Sequence, residues 1–105
     1  MLFAALSDAR QLAIGDLPDA RVSRKVGTPA EPTGLALSRD GRRVYVACAA
    51  AASSVLEMDA ASGEILAAFP AGHTATALTL SPDAKRLYVC NRFDHNISVI
   101  DLQHR

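Results

Sequence analysis

Residues 35–46 read LALSRDGRRVYV, and residues 78–89 repeat this pattern as LTLSPDAKRLYV. The serine, the aspartate, the second basic residue and the closing tyrosine and valine recur at matching positions. Tyr45 and Tyr88, for example, lie 43 residues apart. Turn-forming residues followed by β-branched and aromatic ones are typical of strands joined by tight turns. The chain therefore contains at least two copies of one β-rich unit.

The two copies together predict four strands in each unit. The later copy supplies the first three, at Thr76–Ser81, Arg86–Cys90 and Ile97–Leu102, separated by a turn and a polar loop. The earlier copy supplies the fourth, at Glu64–Phe69. A repeat of about forty residues with four short strands is the sequence pattern of a β-propeller blade. We therefore expect an all-β fold built from four-stranded antiparallel meanders.

The repeat divides the chain into three parts of one propeller domain. Residues 1–30 form a partial blade with strands two to four, including a turn at Pro18–Ala20. Residues 31–72 form a complete blade, and residues 73–105 form a partial blade with strands one to three. A closed propeller has about four to eight blades. We therefore expect a piece of a longer protein that pairs with the remaining blades of its parent chain. The alternative is assembly with other copies, but the two incomplete blades lack strands at opposite edges.

The alanine-rich stretch Ala47–Ala52 allows two interpretations. Alanine is the best helix former, so the stretch could form a helical turn. Such a short run is only marginally stable as a helix without packing, and the repeat places it where the later copy has a loop. We therefore predict a loop or a ragged strand end.

Composition excludes several classes of protein. Half of the 105 residues are hydrophobic and the formal net charge is zero, which does not indicate disorder or nucleic-acid binding. No apolar run approaches the roughly 20 residues that span a bilayer, and the N-terminus lacks the pattern of a signal peptide. The two cysteines, Cys48 and Cys90, form no Cys-x-x-Cys pair and are interpreted as small buried thiols.

Polar loops at one end of the blades contain the candidate binding residues. Strands in a meander alternate in direction, so the loop before the first strand and the loop after the second lie at the same end. Loops carry function more often than strands. The candidates for a protein or small-molecule ligand are therefore His73, Asn91, Arg92 and His95. Plainer roles are also open: His73 could cap backbone groups, His95 could be solvated, and Arg92 could pair with Asp94.

Other polar residues recur with the repeat and are assigned structural roles. Four aspartates are interpreted as turn and strand-end residues, and two tyrosines as packing residues: Asp40, Asp59, Asp83 and Asp101, and Tyr45 and Tyr88. No catalytic triad, phosphate-binding loop, haem-attachment motif or metal-ligand spacing is present in the sequence. We therefore predict no catalytic residue, metal or cofactor.

The repeat resembles the YVTN family of β-propeller repeats. Tyr88-Val89-Cys90-Asn91 matches the tetrapeptide that names the family, with cysteine in place of threonine, and Asn96–Asp101 matches its third strand. The resemblance covers residues 26–102 well and residues 1–25 loosely. Departures from the family pattern are Arg39 for proline, Ala84 for glycine and Cys48 for asparagine.

This resemblance implies a commonly seven-bladed propeller in bacterial and archaeal cell-surface, periplasmic or secreted proteins. The family's members serve as binding and interaction scaffolds, which is the function we expect. Two alternatives follow from relatives that the family includes. The chain could be part of a lactonase-like hydrolase, with active residues on other blades, or the propeller module of a cytochrome c-linked periplasmic oxidoreductase. A fold analogy alone does not choose between them.

Overall fold

The computed structural model describes residues 2–6, 10–16 and 21–103, and these residues contain ten strands. The predicted turn at Pro18–Ala20 lies outside the described residues. In chain order the strands are β1 Leu2–Leu6, β2 Gln11–Asp16, β3 Arg21–Gly27, β4 Glu31–Leu37, β5 Arg43–Ala49, β6 Ser54–Asp59, β7 Ile65–Pro70, β8 Ala75–Leu80, β9 Arg86–Asn91 and β10 Asn96–Asp101.

The strands form three antiparallel sheets, each built from strands that are consecutive in the chain. The first sheet has the order β1-β2-β3, the second has β4-β5-β6-β7, and the third has β8-β9-β10. Every neighbouring pair is antiparallel. This arrangement confirms the predicted fold class of all-β meanders.

Irregularities in strand pairing repeat with the same spacing as the sequence. The pairing of β4 with β5 skips Thr33, and the pairing of β8 with β9 skips Thr76, 43 residues later. The pairing of β2 with β3 skips Ser23, and that of β6 with β7 skips Leu66, again 43 residues later. Bulges bend and twist a strand locally, so equal placement gives the sheets the same curvature. The weakly similar first copy therefore has the same strand geometry as the second.

The second sheet is buried on both faces, and β5 shows this most clearly. Val44, Val46 and Cys48 point into a core with Leu12 and Ile14 of the first sheet. Because side chains alternate along a strand, the residues between them point the other way. The intervening residues of β5 pack in a second core with β8, β9 and β10 of the third sheet: Tyr45 and Ala47. The three sheets therefore stack face to face.

Among the described residues, only one face of the third sheet is covered by another sheet. Leu87, Val89 and Ile100 pack against the second sheet. The opposite face of the third sheet exposes Ile97 and Val99, which are 60% and 58% accessible. This face also corrects one expectation. Cys48 is buried as predicted, but the prediction of a buried Cys90 was wrong, because Cys90 lies on the face that no described sheet covers.

The turns at one end of the sheets have the predicted hydrogen bonds. Asp40 Oδ1 accepts bonds from Ser38 Oγ at 2.7 Å and from the Arg42 N–H at 2.9 Å. Asp83 Oδ1 accepts the equivalent bonds from Ser81 Oγ at 2.6 Å and from the Lys85 N–H at 3.0 Å. The structural role predicted for these aspartates is therefore confirmed.

The alanine-rich stretch ends a strand and then turns. β5 continues through Ala49, and residues 51–52 form a turn, which confirms the interpretation that preferred a strand end to a helix. Across the described residues, no helix has the length and apolar character that crossing a membrane requires.

Candidate functional site

The site is formed by two connections at the loop end of the third sheet. Residues 71–74 link β7 of the second sheet to β8 of the third, and residues 92–95 connect β9 to β10. We call residues 71–74 the linker and residues 92–95 the β9–β10 loop. Both lie at the end of the sheet opposite the Ser81–Asp83 turn, because the strands of a meander alternate in direction.

Ser53 fixes the linker to the second sheet. This residue is only 3% exposed and lies immediately before β6. Its carbonyl accepts the Ala71 N–H at 2.9 Å, its N–H donates to the Gly72 carbonyl at 3.2 Å, and its Oγ accepts the Ala75 N–H at 2.9 Å. The Thr74 N–H donates to the Ala50 carbonyl at 2.8 Å. The linker is therefore held at both ends by the preceding blade.

The β9–β10 loop holds the same linker from the other side. The His73 N–H donates to Asp94 Oδ2 at 2.7 Å. In return the Arg92 N–H donates to the Thr74 carbonyl at 2.9 Å, and the Phe93 N–H donates to the His73 carbonyl at 3.3 Å. The two connections thus form one hydrogen-bonded surface, in which one carboxylate oxygen of Asp94 accepts a backbone N–H.

Asn91 lies beneath this surface and is 2% exposed. Its Oδ1 accepts the Gly72 N–H at 3.0 Å, and its Nδ2 donates to Asn96 Oδ1 at 3.0 Å and to Ser98 Oγ at 2.8 Å. The linker approaches so closely that a Cβ on Gly72 would lie 2.7 Å from Asn91 Cγ and 2.6 Å from Asp94 Oδ2. Only glycine fits at this position without displacing its neighbours.

Three side chains above Asn91 form a contiguous platform: His73, Arg92 and Phe93. The rings of His73 and Phe93 meet edge to face, with centroids 5.1 Å apart and an interplanar angle of 84°. Arg92 Cζ lies 5.7 Å from the centroid of the Phe93 ring, within the range of cation–π attraction. Phe93 is nevertheless 60% exposed. We call this group the loop-end platform.

The backbone around the platform is locally strained. Thr74 has a φ of 57° and His95 a φ of 54°. For a β-branched residue such as threonine, a positive φ is a genuine outlier, and strain of this kind clusters at functional sites. The Thr74 Oγ1 atom lies 2.7 Å from His73 Nδ1, so the strained residue also fixes the histidine ring.

The four residues that were predicted to bind a ligand occupy different positions at the loop end. His73 and Arg92 share the platform, Asn91 supports it from below, and His95 is exposed at the end of the β9–β10 loop. No ion pair joins Arg92 to Asp94 in the described structure, and Asp94 Oδ2 accepts the His73 N–H.

Sequence reasoning did not select Phe93, which contacts both His73 and Arg92. An aromatic residue inside an otherwise polar loop was the available signal. Within the described ranges, no group of three or more His, Cys, Asp or Glu residues is placed to hold a metal ion.

A shallow groove adjoins the platform at the same end of the molecule. It has a volume of about 490 Å³ and lies between the first and second sheets. Arg10 and Glu31 supply its charges, alanines from the end of β5 form much of its lining, and Thr74 joins it to the linker. The loop end therefore combines an exposed cation, an aromatic ring and a groove that contains small apolar side chains and one charge of each sign.

Known proteins were compared with the chain in three ways, by family models, curated sequences and solved structures. No family model matches it. Antigen Lp49 of Leptospira interrogans is 26% identical over an alignment 102 residues long that covers 85% of this chain and 22% of that protein. The chain thus spans about a fifth of the curated relative that it matches.

Solved structures match over nearly the whole chain. Hydrazine synthase of Kuenenia stuttgartiensis has a TM-score of 0.85 at 24% identity, covering 96% of this chain and 29% of that one. The β-propeller domain of Cps50 (Swd1) from Myceliophteria thermophila has a TM-score of 0.72 at 20% identity, covering 97% and 35%. The Dos1 propeller has a TM-score of 0.73 at 18% identity, covering 89% and 24%.

These structural matches establish the fold. The chain consists of successive antiparallel meanders of three, four and three strands, as in a β-propeller, and it covers only part of each structure that it resembles. This is the pattern of an incomplete propeller, as the sequence predicted.

Proposed function

We propose that the chain is part of a binding scaffold whose loop-end platform recognises a carboxylate-bearing segment of another protein. The observation that carries the proposal is the stack of the Arg92 guanidinium on Phe93, with Phe93 60% exposed and Asp94 bonded to the backbone. A guanidinium presents paired donors that match the two oxygens of a carboxylate. The aromatic ring beneath it adds apolar contact area.

Rigidity of the platform supports a binding role. The linker and the β9–β10 loop are joined by three hydrogen bonds. Ser53 adds two bonds to the linker and one to Ala75 at the start of β8. A surface that is already ordered loses less conformational entropy when a ligand binds. In this proposal His73 and Arg92 contact the ligand, Asn91 positions the linker, and His95 extends the surface.

The adjoining groove favours a peptide as the ligand. An extended segment whose carboxylate meets Arg92 can continue past Thr74 into the groove, where small alanine side chains leave room for it. Glu31 and Arg10 at the groove offer one charge of each sign. Aromatic residues, phenylalanine included, and arginine are enriched in protein interfaces, and the Arg92–Phe93 pair has this composition.

We further infer that the repeat is of the YVTN type and that the protein lies in the periplasm or at the cell surface. Tyr88-Val89-Cys90-Asn91 and Asn96–Asp101 support the family, and the resemblance supports the location. The remaining partners in this proposal are the other blades of a longer parent chain. The lactonase-like and cytochrome-linked alternatives stay predictions, since no contact among the described residues favours either.

Selection from a random heptapeptide phage library tests the proposed recognition. We expect the immobilised chain to enrich peptides that combine Asp or Glu with an aliphatic or aromatic residue. Arg92→Glu should weaken binding of the selected peptides at least tenfold, because it replaces attraction by repulsion. Arg39→Glu makes the same change of charge at the opposite end and should leave binding within twofold.

Two results would contradict this proposal. One is a selection without acidic enrichment from the wild-type chain. The other is an equal loss of binding in the Arg92→Glu and Arg39→Glu variants, which would indicate a general effect of net charge. Fluorescence anisotropy with one selected peptide, at two salt concentrations, gives the affinities for this comparison.

A further inference from the structure

The backbone of Thr74 is strained, and hydrogen bonds on both sides of the linker hold it in that conformation. Its N–H donates to the Ala50 carbonyl at 2.8 Å, and its carbonyl accepts the Arg92 N–H at 2.9 Å. A positive φ, here 57°, is unfavourable for a β-branched residue and persists only where the surrounding structure enforces it. These two bonds therefore fix the backbone from which the Thr74 side chain projects.

The Thr74 hydroxyl contacts the His73 ring from this fixed position. Oγ1 lies 2.7 Å from Nδ1, so one of the two atoms donates a proton to the other. If Nδ1 donated, the hydroxyl proton would need a second acceptor, and the described residues give Thr74 Oγ1 no other hydrogen bond. If the hydroxyl donates, its proton and the Nδ1 lone pair are both paired. The second arrangement places the ring proton on Nε2.

The location of the ring proton decides what the loop-end platform offers to a ligand. With the proton on Nε2 this nitrogen is a donor, whereas in the other tautomer it is an acceptor. The His73 ring and the Arg92 guanidinium both lie beside Phe93, at 5.1 and 5.7 Å from its ring centroid. Both groups then present donors only. An ionised carboxylate matches them, because it has only acceptors, whereas an amide brings N–H groups of its own.

The carboxylate of the β9–β10 loop does not occupy these donors. Asp94 Oδ2 accepts the His73 backbone N–H at 2.7 Å. Among the described residues, no hydrogen bond or ion pair joins Asp94 to the His73 ring or to the Arg92 guanidinium. Within the same part of the chain, no side chain accepts a proton from His73 Nε2. The imidazole and guanidinium donors are therefore available to a ligand.

We propose that Thr74 is a positioning residue whose hydroxyl holds the ring proton of His73 on Nε2 and makes the loop-end platform selective for an ionised carboxylate over an amide. The proposal rests on the function proposed above, in which the platform binds a carboxylate-bearing segment. One carboxylate oxygen accepts the His73 Nε2–H, and the other accepts N–H groups of Arg92. An amide counterpart of such a ligand binds more weakly, because its own N–H groups face these donors and stay unpaired.

Long-range nitrogen–proton correlation spectra of the histidine rings measure the tautomer in the chain without a ligand. They are recorded at about pH 9, above the range in which histidines usually change charge. We expect wild-type His73 to have a protonated Nε2 and an unprotonated Nδ1. Thr74→Val lacks the hydroxyl but keeps a β-branched side chain, and should increase the share of the Nδ1–H form. A wild-type ring protonated on Nδ1, or the same tautomer ratio in both chains, would overturn the proposal.

Two tripeptides with blocked ends, FEF and FQF, test the selectivity, since they differ only in a carboxylate against an amide. We expect FEF to shift the ring signals of His73 and the side-chain N–H signals of Arg92, and to bind at least tenfold more tightly than FQF. Thr74→Val should reduce this affinity ratio at least threefold. Thr74→Ser keeps the hydroxyl and should preserve the ratio within twofold, as should Thr79→Val, the same replacement on an exposed part of β8.

The outcomes separate this proposal from the proposed function. Shifts at Arg92 without shifts at His73 would overturn the role of Thr74 and leave carboxylate binding by the platform intact. Shifts at neither residue would overturn both proposals. Equal losses of FEF and FQF binding in Thr74→Val would indicate a general structural role and overturn the selectivity. The tautomer measurement on the wild-type chain needs neither a variant nor a ligand.

Discussion

The second and third sheets are built from the same repeat, yet equivalent residues have different surroundings. Tyr45 is 5% exposed because the third sheet covers it, whereas Tyr88 is only half-buried. Ala47 is fully buried, and the equivalent Cys90 is exposed. The position in the repeat determines the kind of residue, whereas the presence of a neighbouring sheet determines how far that residue is buried. Energetic consequences of equivalent substitutions should therefore differ between the two sheets.

The largest difference is expected for the two tyrosines. Tyr45→Ala removes a buried ring and its hydrogen bond to Glu57 and should destabilise the chain by about 4 kcal/mol. Tyr88→Ala removes a half-buried ring and should cost about 1 kcal/mol. Denaturant unfolding of both variants measures the difference. Equal losses would contradict the assignment of a covered face to the second sheet and an open face to the third.

The second-largest difference in stability is expected for two glycines, one in the linker before the third sheet and one just before the linker that precedes the second sheet. A Cβ at Gly72 would collide with Asn91 and Asp94, so Gly72→Ala should cost about 2 kcal/mol. Gly27 precedes the equivalent linker of the second sheet, and a Cβ there meets no atom within 4 Å. Gly27→Ala should therefore change stability by less than about 0.5 kcal/mol. A Gly72→Ala variant as stable as wild type would show that the linker is not held against Asn91 as described.

Substitutions in the two turns at the end opposite the platform should change the stability in opposite directions. Gly41 has a φ of 72°, and Ala84 has a φ of 60° at the matching position. A left-handed conformation costs an alanine about 1 kcal/mol relative to glycine. Ala84→Gly should therefore stabilise the chain and Gly41→Ala destabilise it, each by about 1 kcal/mol. Thermal unfolding would disprove the equivalence of the turns if both changes shifted the midpoint in the same direction.

The smallest effect is expected from the turn aspartates in acid. The hydrogen bond from Ser81 Oγ, followed by the one from the Lys85 N–H, lowers the pKa of Asp83, and Ser38 does the same for Asp40. Backbone bonds from Ser62 and Ala61 lower the pKa of Asp59. A pKa that is lower in the folded state contributes stability above its unfolded value and loses it as the pH falls through the folded value.

Stability should therefore be nearly constant between about pH 7 and 5 and fall below about pH 4. Asp83→Asn should flatten this fall, because asparagine does not titrate. Urea unfolding at several pH values checks the slope. Since the carboxylates are exposed, salt should reduce the effect. A wild-type chain that becomes more stable as the pH falls below 4 would contradict the direction of these shifts.

Most of the fold could be predicted from the sequence, because strand order and turn chemistry depend on local pattern. Ser38 and Asp40 predict the hydrogen bonds of their turn, and the alternation of Val44 and Val46 with Tyr45 predicts a strand with two apolar faces. The exposure of Cys90 could not be predicted from the sequence. A thiol on an apolar strand face is buried only where another sheet covers that face, and a local pattern does not show whether one does.

The candidate site was only partly accessible to sequence reasoning. Placing His73 near Arg92 needed only the alternating direction of strands. The position of Asn91 beneath the linker depends on its distance to Gly72, which arises from the packing of two blades. Phe93 gave a signal, as an aromatic residue in a polar loop, but its contacts with His73 and Arg92 depend on the hydrogen bonds that close the loop.

The central claim is that the first and third sheets pack on opposite faces of the second. Nuclear Overhauser contacts from β5 test this claim most directly. The account predicts contacts from the Val46 methyls to Leu12 or Ile14 of the first sheet, and from the Ala47 methyl to Leu87 or Val89 of the third. Contacts from both residues to one and the same sheet, or from neither to any other sheet, would contradict it.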